Sequence, residues 1–329
     1  MTEGSPGDPG SPAPPQRGKP SRAEFRAQVK ATRADIERQV QARKAQLDAT
    51  NERIEARTGR NLILAILIGL GFGLLMLFSL IVIKELFMVV AAATIGFSAF
   101  ELTQALRAAG RDVPRIPTII AAVAIVPAAY YGHSGGQLVA LAGGIVLVWV
   151  WRLVEAVVRR PRVRGRLLLR DLGSSALIQL YVAFLGSFAV LLLAENGGQW
   201  WTLAFLILVI AIDTGAYATG LSFGRHPMAP TISPKKTWEG FAGAALASVV
   251  AGILLSLFMI GRPWWFGVLF GLVLLCTATL GDLAESLIKR DLGIKDMSSW
   301  LPGHGGFLDR LDSILPSAAA AYALFLIFR

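Results

Sequence analysis

Between Ser286 and Asp312 the chain reads Ser-Leu-Ile-Lys-Arg-Asp-Leu-Gly-Ile-Lys-Asp-Met-Ser-Ser-Trp-Leu-Pro-Gly-His-Gly-Gly-Phe-Leu-Asp-Arg-Leu-Asp. Four acids, four bases and a glycine-flanked histidine fall here, between two apolar runs. Charge that dense beside lipid is costly to place. Carboxylates, cations and glycines together are what a site needs to hold a metal and a polyphosphate. In Gly281-Asp282-Leu-Ala-Glu285-Ser286-Leu-Ile-Lys289-Arg290, the residues Asp282, Glu285, Ser286 and Lys289 are spaced to share one face of a helix. A snorkelling helix end with a Glu285–Lys289 pair accounts for the bases. It does not account for Asp282, which at a helix C-terminus faces an unfavourable dipole. A metal or a cationic partner removes that cost. Further on, Pro302 and the glycines around His304 predict a tight loop whose backbone can approach a ligand. Asp309, Arg310 and Asp312 then open the last apolar run. A simple N-cap explains Asp309 but neither Asp312 nor His304, which has both a structural and a catalytic reading.

Two upstream segments join these. In Ser233-Pro234-Lys235-Lys236-Thr237-Trp238-Glu239-Gly240 the Ser-Pro pair suits Ncap and N1 of a helix. Free N–H groups, two lysines and hydroxyls there make an anion site, or else a topology-setting loop with an ordinary cap. Asp213, in Ile-Ala-Ile-Asp-Thr-Gly-Ala-Tyr, lies in or at the end of an apolar run. Intramembrane carboxylates are functional by default, although packing against Thr214 or Tyr217 is the alternative. For Lys84, Glu85 and Glu101 the interfacial or helix-packing reading is preferred. The chain has no Gly-Lys-Ser/Thr phosphate loop, no Gly-x-Gly-x-x-Gly and no Cys/His cluster. Carboxylate and phosphate oxygens suit magnesium rather than zinc.

The elements that must position these residues are membrane helices. The 329 residues are 54% hydrophobic, above the usual 45–50%, and the mean hydropathy is +0.57. The excess falls in long runs from about Asn61 onward, which predicts an all-α, polytopic integral membrane protein. No signal peptide is expected, since apolar sequence begins so late. Residues 1–20 are Pro/Gly-rich and expected to be disordered; residues 21–60 read as a charged cytoplasmic helix. Nine spans are expected: about 61–82, 86–106, 116–132, 136–157, 172–194, 199–220, 239–260, 264–281 and 311–328. Residues 61–170 form the N-terminal helices, and 171–329 the catalytic region. Basic residues cluster after the second, fourth, sixth and eighth spans, while the opposite loops hold almost none. That alternation predicts a cytoplasmic N-terminus, a site on the cytoplasmic side and residence in the cell membrane. The net charge of +10 is read as these loops facing anionic lipid, not as a nucleic-acid surface. Cys276, the one cysteine, lies mid-span and reads as a structural thiol.

Ser286–Asp312 closely resembles the C-terminal signature of phosphatidate cytidylyltransferases (CDP-diacylglycerol synthases), without departure. That signature runs Ser-x-Ile-Lys-Arg, four residues, Lys-Asp, then Pro-x-His-Gly-Gly-x-x-Asp-Arg-x-Asp. Asp213-Thr-Gly-Ala-Tyr, Ser233-Pro-Lys-Lys-Thr-Trp-Glu-Gly and Gly281-Asp-Leu-Ala-Glu-Ser are also similar to the family's motifs. The resemblance covers roughly Tyr181–Arg329; earlier spans match only in hydropathy. It implies transfer of CMP from CTP to phosphatidic acid, within the membrane and without nucleic acid. Residues and resemblance together assign catalysis to Asp282, Lys289, His304, Asp309 and Arg310. They assign phosphate contacts to Asp213, Ser233, Lys235, Lys236, Thr237, Arg290 and Lys295, and Mg²⁺ to Asp282 and Asp309. A second, monovalent cation such as K⁺, and a homodimer, are left open. A CTP-dependent lipid kinase would need the same nucleotide and metal. An ion-coupled transporter would need discontinuous spans and repeats, which the sequence does not show.

Overall fold

The computed structural model describes residues 62–158, 165–298, 300 and 305–329. The expectations for 1–20 and 21–60 lie outside the described residues. A chain in lipid must satisfy its backbone internally, and the apolar runs accordingly become helices. They are α1 Leu62–Ile81, α2 Lys84–Ala108 and α3 Arg115–Val158. Then follow α4 Gly165–Ala194, with a π-helical turn at Gln179–Phe184, and α5 Gly198–Phe223. A short antiparallel hairpin, β1 Pro227–Ala229 and β2 Ser233–Thr237, leads to α6 Trp238–Ile260 and α7 Trp264–Asp291. The chain ends with α8 Leu308–Leu311 and α9 Ile314–Phe328.

Among the described residues, seven helical segments are long and apolar enough to cross a membrane, against the nine spans expected. The difference arises at two places. At the first, α1 has 20 residues, of which only the stretch Gly69–Ile81 enters that count. The second is α3, whose 44 residues would extend about 66 Å, twice the hydrocarbon core of a bilayer. Its helix is interrupted at His133, where φ is 52° and ψ is −150°. A Cβ on Gly136 would fall 2.3 Å from the Ala128 carbonyl oxygen, and one on Gly144 would fall 3.1 Å from the Ala121 Cβ. Residues 121 and 144 would stand about 35 Å apart in a straight helix. The two halves of α3 therefore run antiparallel, turning in the loop expected at 132–136.

Two apolar clusters hold the bundle. One joins α1–α4 through residues such as Leu102, Ile125 and Val182, and also takes in Leu308 and Leu315. The other joins α5, α6, α7 and α9 through Phe205, Phe266, Phe270 and Phe325. Small residues let backbones meet: a Cβ on Gly252 of α6 would lie 2.3 Å from the Gly267 carbonyl oxygen of α7. The outer faces carry exposed Val139, Phe258 and Leu221, side chains suited to lipid rather than water.

Candidate functional site

α7 does not stop where the eighth span was expected to end but continues to Asp291. The expected face is thereby built. Glu285 is fully buried, and Lys289 Nζ lies 2.5 Å from its Oε2 and 2.8 Å from Asp309 Oδ1. The other Asp309 oxygen accepts backbone N–H bonds from Gly306 (2.8 Å) and Met297 (3.1 Å). Asp309 thus fastens the chain that precedes it and does not act as an N-cap.

The N–H groups at the start of α8 need acceptors, and α2 supplies them. Glu101, 1% exposed, accepts from Phe307 N (3.0 Å), Leu308 N (2.9 Å) and Ser298 Oγ (2.5 Å). A Cβ on Gly306 would lie 2.8 Å from Glu101 Oε2, so a larger residue there would displace the Glu101 carboxylate. Glu101 is therefore a loop anchor, a role its reading as a packing acid did not include.

Gly281 plays the matching part on α7. A Cβ there would fall 2.2 Å from the Asp312 carbonyl oxygen and 2.6 Å from Pro316 Cγ. Glycine at this position lets the start of α9 lie against α7, which brings Asp282 and Asp312 to one cavity.

The Ser233-Pro234 segment departs from expectation. It does not open a helix: Ser233–Thr237 is β2, paired with Pro227–Ala229. The strand partner holds the chain extended until Thr237. The Thr237 hydroxyl caps α6 instead, accepting from Gly240 N at 3.1 Å. Glu239 closes the loop, accepting from the Arg225 and His226 N–H groups at 3.1 and 3.2 Å. Arg290 donates to the Ile232 carbonyl at 3.2 Å, tying the hairpin to α7. Lys236 is thereby placed 2.5 Å from Asp282 Oδ2.

A cavity of about 380 Å³ results, lined by Lys235, Lys236, Thr237 and Arg310 together with Asp213, Asp282, Asp309 and Asp312. Ile212, Phe241, Ala244 and Ala278 supply its apolar wall. Not every expected residue is there. Ser233, Arg290 and Lys295 do not line it; Lys289 stands behind it, bracing Asp309. His304 lies outside the described residues. Asp312 joins the wall without having been assigned a role, although its spacing from Asp309 was visible.

Carboxylate oxygens are the donors a hard divalent cation takes. Among the described residues no three His, Cys, Asp or Glu side chains converge as a ready cage. Both expected ligands have partners here: Lys289 and two N–H groups engage Asp309, and Lys236 and, at 3.4 Å, the Ser286 hydroxyl engage Asp282. The set fits a metal that is completed by ligand phosphate oxygens.

Fold and site define a class: an integral membrane protein whose polar cavity sets cations against carboxylates, as an anionic ligand with its counter-cation requires. The profile of the cytidylyltransferase family matches residues 63–328, and the chain belongs to that family. It is 40% identical over 272 residues to a phosphatidate cytidylyltransferase of Mycobacterium bovis, covering 81% of this chain and 89% of that protein. The same identity relates it to one of Mycobacterium tuberculosis, over 81% of this chain and 83% of that protein. One of Mycobacterium leprae is 38% identical over 82% of this chain and 88% of that protein.

Proposed function

We propose that this protein transfers CMP from CTP to phosphatidic acid, forming CDP-diacylglycerol and pyrophosphate for phospholipid synthesis. The observation that carries the reading is the cavity that Lys235, Lys236 and Arg310 line together with Asp213, Asp282, Asp309 and Asp312. Family membership supports it. In the reaction a phosphate oxygen of the lipid forms a bond to the α-phosphorus of CTP. The bond from that phosphorus to the oxygen bridging to the β-phosphate breaks, and pyrophosphate leaves with its electrons. Two anions must meet, so cations decide the rate. Lys235, Lys236 and Arg310 hold the phosphates, with the Thr237 region orienting them. Lys289 braces Asp309 and, through it, the Met297 and Gly306 backbone. Asp282 and Lys236 neutralise each other in the free protein; a polyphosphate with its cation offers both new partners. Mg²⁺ held by Asp282 and Asp309, with Asp312 beside them, would supply charge neutralisation to the leaving pyrophosphate. A second, monovalent cation such as K⁺ would take Asp213, the one cavity carboxylate left over.

The membrane arrangement we propose has nine crossings in the cell membrane, with the N-terminus and the cavity on the cytoplasmic side. The antiparallel halves of α3 support two crossings within that one segment. CTP then reaches the cavity from the cytoplasm, and phosphatidic acid from the membrane.

The test is incubation of the purified protein with labelled CTP, phosphatidic acid and Mg²⁺. Lipid-linked CMP is expected. Lipid-linked phosphate would mean a CTP-dependent lipid kinase, and absence of turnover would return the cavity to the transporter reading.

A further inference from the structure

A second basic recess lies apart from this cavity. Arg107, Arg111 and Arg115, with Gln104 and Asp112, line a cavity of about 670 Å³ where α2 ends and α3 begins. Arg111 also lines an adjoining cavity of about 550 Å³. Its floor is apolar, formed by Leu106, Leu177 and Leu287, and its rim carries Arg170 and Asp291. Four arginines thus face two carboxylates, Asp112 and Asp291.

The recess is fixed in shape. The Asp112 N–H donates to Asp171 Oδ1 at 2.9 Å. Asp171 is itself held by Arg152, 1% exposed, at 2.7 Å. Arg170 donates to the Gly110 carbonyl at 2.8 Å. By contrast Arg111 is only loosely paired, 3.7 Å from an Asp291 whose side chain is 71% exposed. On α7, at 100° per residue, Leu287, Ile288 and Asp291 fall on the side away from Asp282. The helix therefore separates this recess from the catalytic cavity, and the two share no lining residue.

We propose that the recess is a second, non-catalytic site for an anionic glycerophospholipid. Its phosphate would sit among Arg111, Arg115 and Arg170, and one acyl chain would lie on Leu106, Leu177 and Leu287. Guanidinium groups pair with phosphate through two-pronged hydrogen bonds. A basic rim over an apolar floor matches a phospholipid in both parts, whereas a soluble anion uses only the rim. A phosphate bound to Arg111 takes the place of Asp291, two residues beyond Lys289. Occupancy thereby bears on the end of α7 that braces the catalytic loop.

The test reads binding, so its outcome is independent of the proposed activity. Full-length protein in neutral detergent is titrated with phosphatidylglycerol, phosphatidylcholine or inorganic phosphate, and bound lipid is counted by native mass spectrometry. One phosphatidylglycerol is expected to remain on the protein in the presence of excess CTP, and phosphatidylcholine is not. Arg111→Gln with Arg170→Gln should weaken retention at least tenfold. Gly173→Trp should do so too without touching a charge, since a Cβ at Gly173 meets nothing within 4 Å yet the position lines the recess. Equal retention in all variants would overturn the proposal and leave the arginines as topology signals. Displacement of the lipid by inorganic phosphate alone would overturn it in favour of a free-anion site.

Discussion

Replacing Glu101 by Gln tests whether a helix outside the cavity holds the segment that leads into α8. One side-chain oxygen remains and keeps two of the three bonds. The other becomes an NH₂ group facing a buried N–H donor, Leu308 N, if Oε2 is the atom exchanged. A hydrogen bond to a charged acceptor contributes about 1.5–3 kcal/mol, and an unsatisfied buried donor costs a further ~1–3 kcal/mol. Because the amide can rotate and the loop can relax, roughly 2–3 kcal/mol against the ordered loop is a fair expectation. At 1.36 kcal/mol per decade that is about a 30- to 150-fold fall in kcat/KM. Turnover should be measured with labelled CTP in detergent, beside thermal unfolding of the same preparation. The unfolding midpoint should change little, since α2 keeps its apolar contacts to the bundle. Ser298→Ala, which removes one bond to the same carboxylate, about 1.5 kcal/mol at the low end of that range, but strands no buried donor, should cost only about tenfold. A Glu101→Gln enzyme within threefold of wild type would refute the loop-anchor reasoning. So would a loss of activity matched by loss of folded protein.

Four further outcomes are expected. Lys235→Gln with Lys236→Gln should lower kcat/KM more than tenfold, at least about 1.4 kcal/mol; retained activity at low CTP would make these lysines topology signals only. Asp282→Asn should abolish turnover at all Mg²⁺ concentrations in a folded protein, and Asp309→Asn should do the same while also loosening residues 297–306 to protease; near-normal activity in either removes it from the metal site. Gly281→Ala should reduce activity at least tenfold, because its Cβ would meet the Asp312 carbonyl at 2.2 Å and push α9 from α7; a neutral outcome would mean that this close approach does not set the cavity. Cysteines at Ser134 and Asp291, in a Cys276→Ala background, should label from opposite sides of the membrane; labelling from one side would defeat the nine-crossing arrangement.

Much of this was legible in the sequence, and the exceptions have physical causes. The helical face Asp282–Glu285–Ser286–Lys289 needed only the 3.6-residue period. Span positions followed from hydropathy, and the Gly/His/Ser run at 132–136 already marked a turn inside the 44-residue segment; the contacts of Gly136 and Gly144 agree with that turn. The Ser233-Pro234 cap was misplaced because local propensity favoured a helix start there. Pairing with residues 227–229, a tertiary event, placed that start at Trp238 instead. Arg290 and Lys295 were assigned by proximity in the chain, and Arg290 was instead drawn to the Ile232 carbonyl. Glu101 carried one usable signal, a carboxylate within an apolar run. Its partner loop lies some two hundred residues away, beyond any local pattern.

That long-range bond bears on why the family match begins at residue 63 when the chemistry-bearing motifs begin only at Asp213. Every wall of the cavity comes from α5 or later elements, so the N-terminal helices contribute no side chain to it. Yet the loop carrying Gly305–Asp309 crosses back to α2. Its Phe307 and Leu308 N–H groups end on Glu101, while Phe307 stacks on Phe97 with ring centres 5.0 Å apart. Leu308 is buried in the cluster built by α1–α4. A loop rich in glycine has much conformational freedom to lose, and the catalytic half alone offers it Lys289 and Asp309 as internal ties. The N-terminal helices supply the rest. They act as a platform against which that loop is set, and positioning of that kind contributes to rate without contact with substrate. A family match over residues 63–328 is what a site that needs both halves of the bundle would produce, even though one half holds all the described groups that line the cavity.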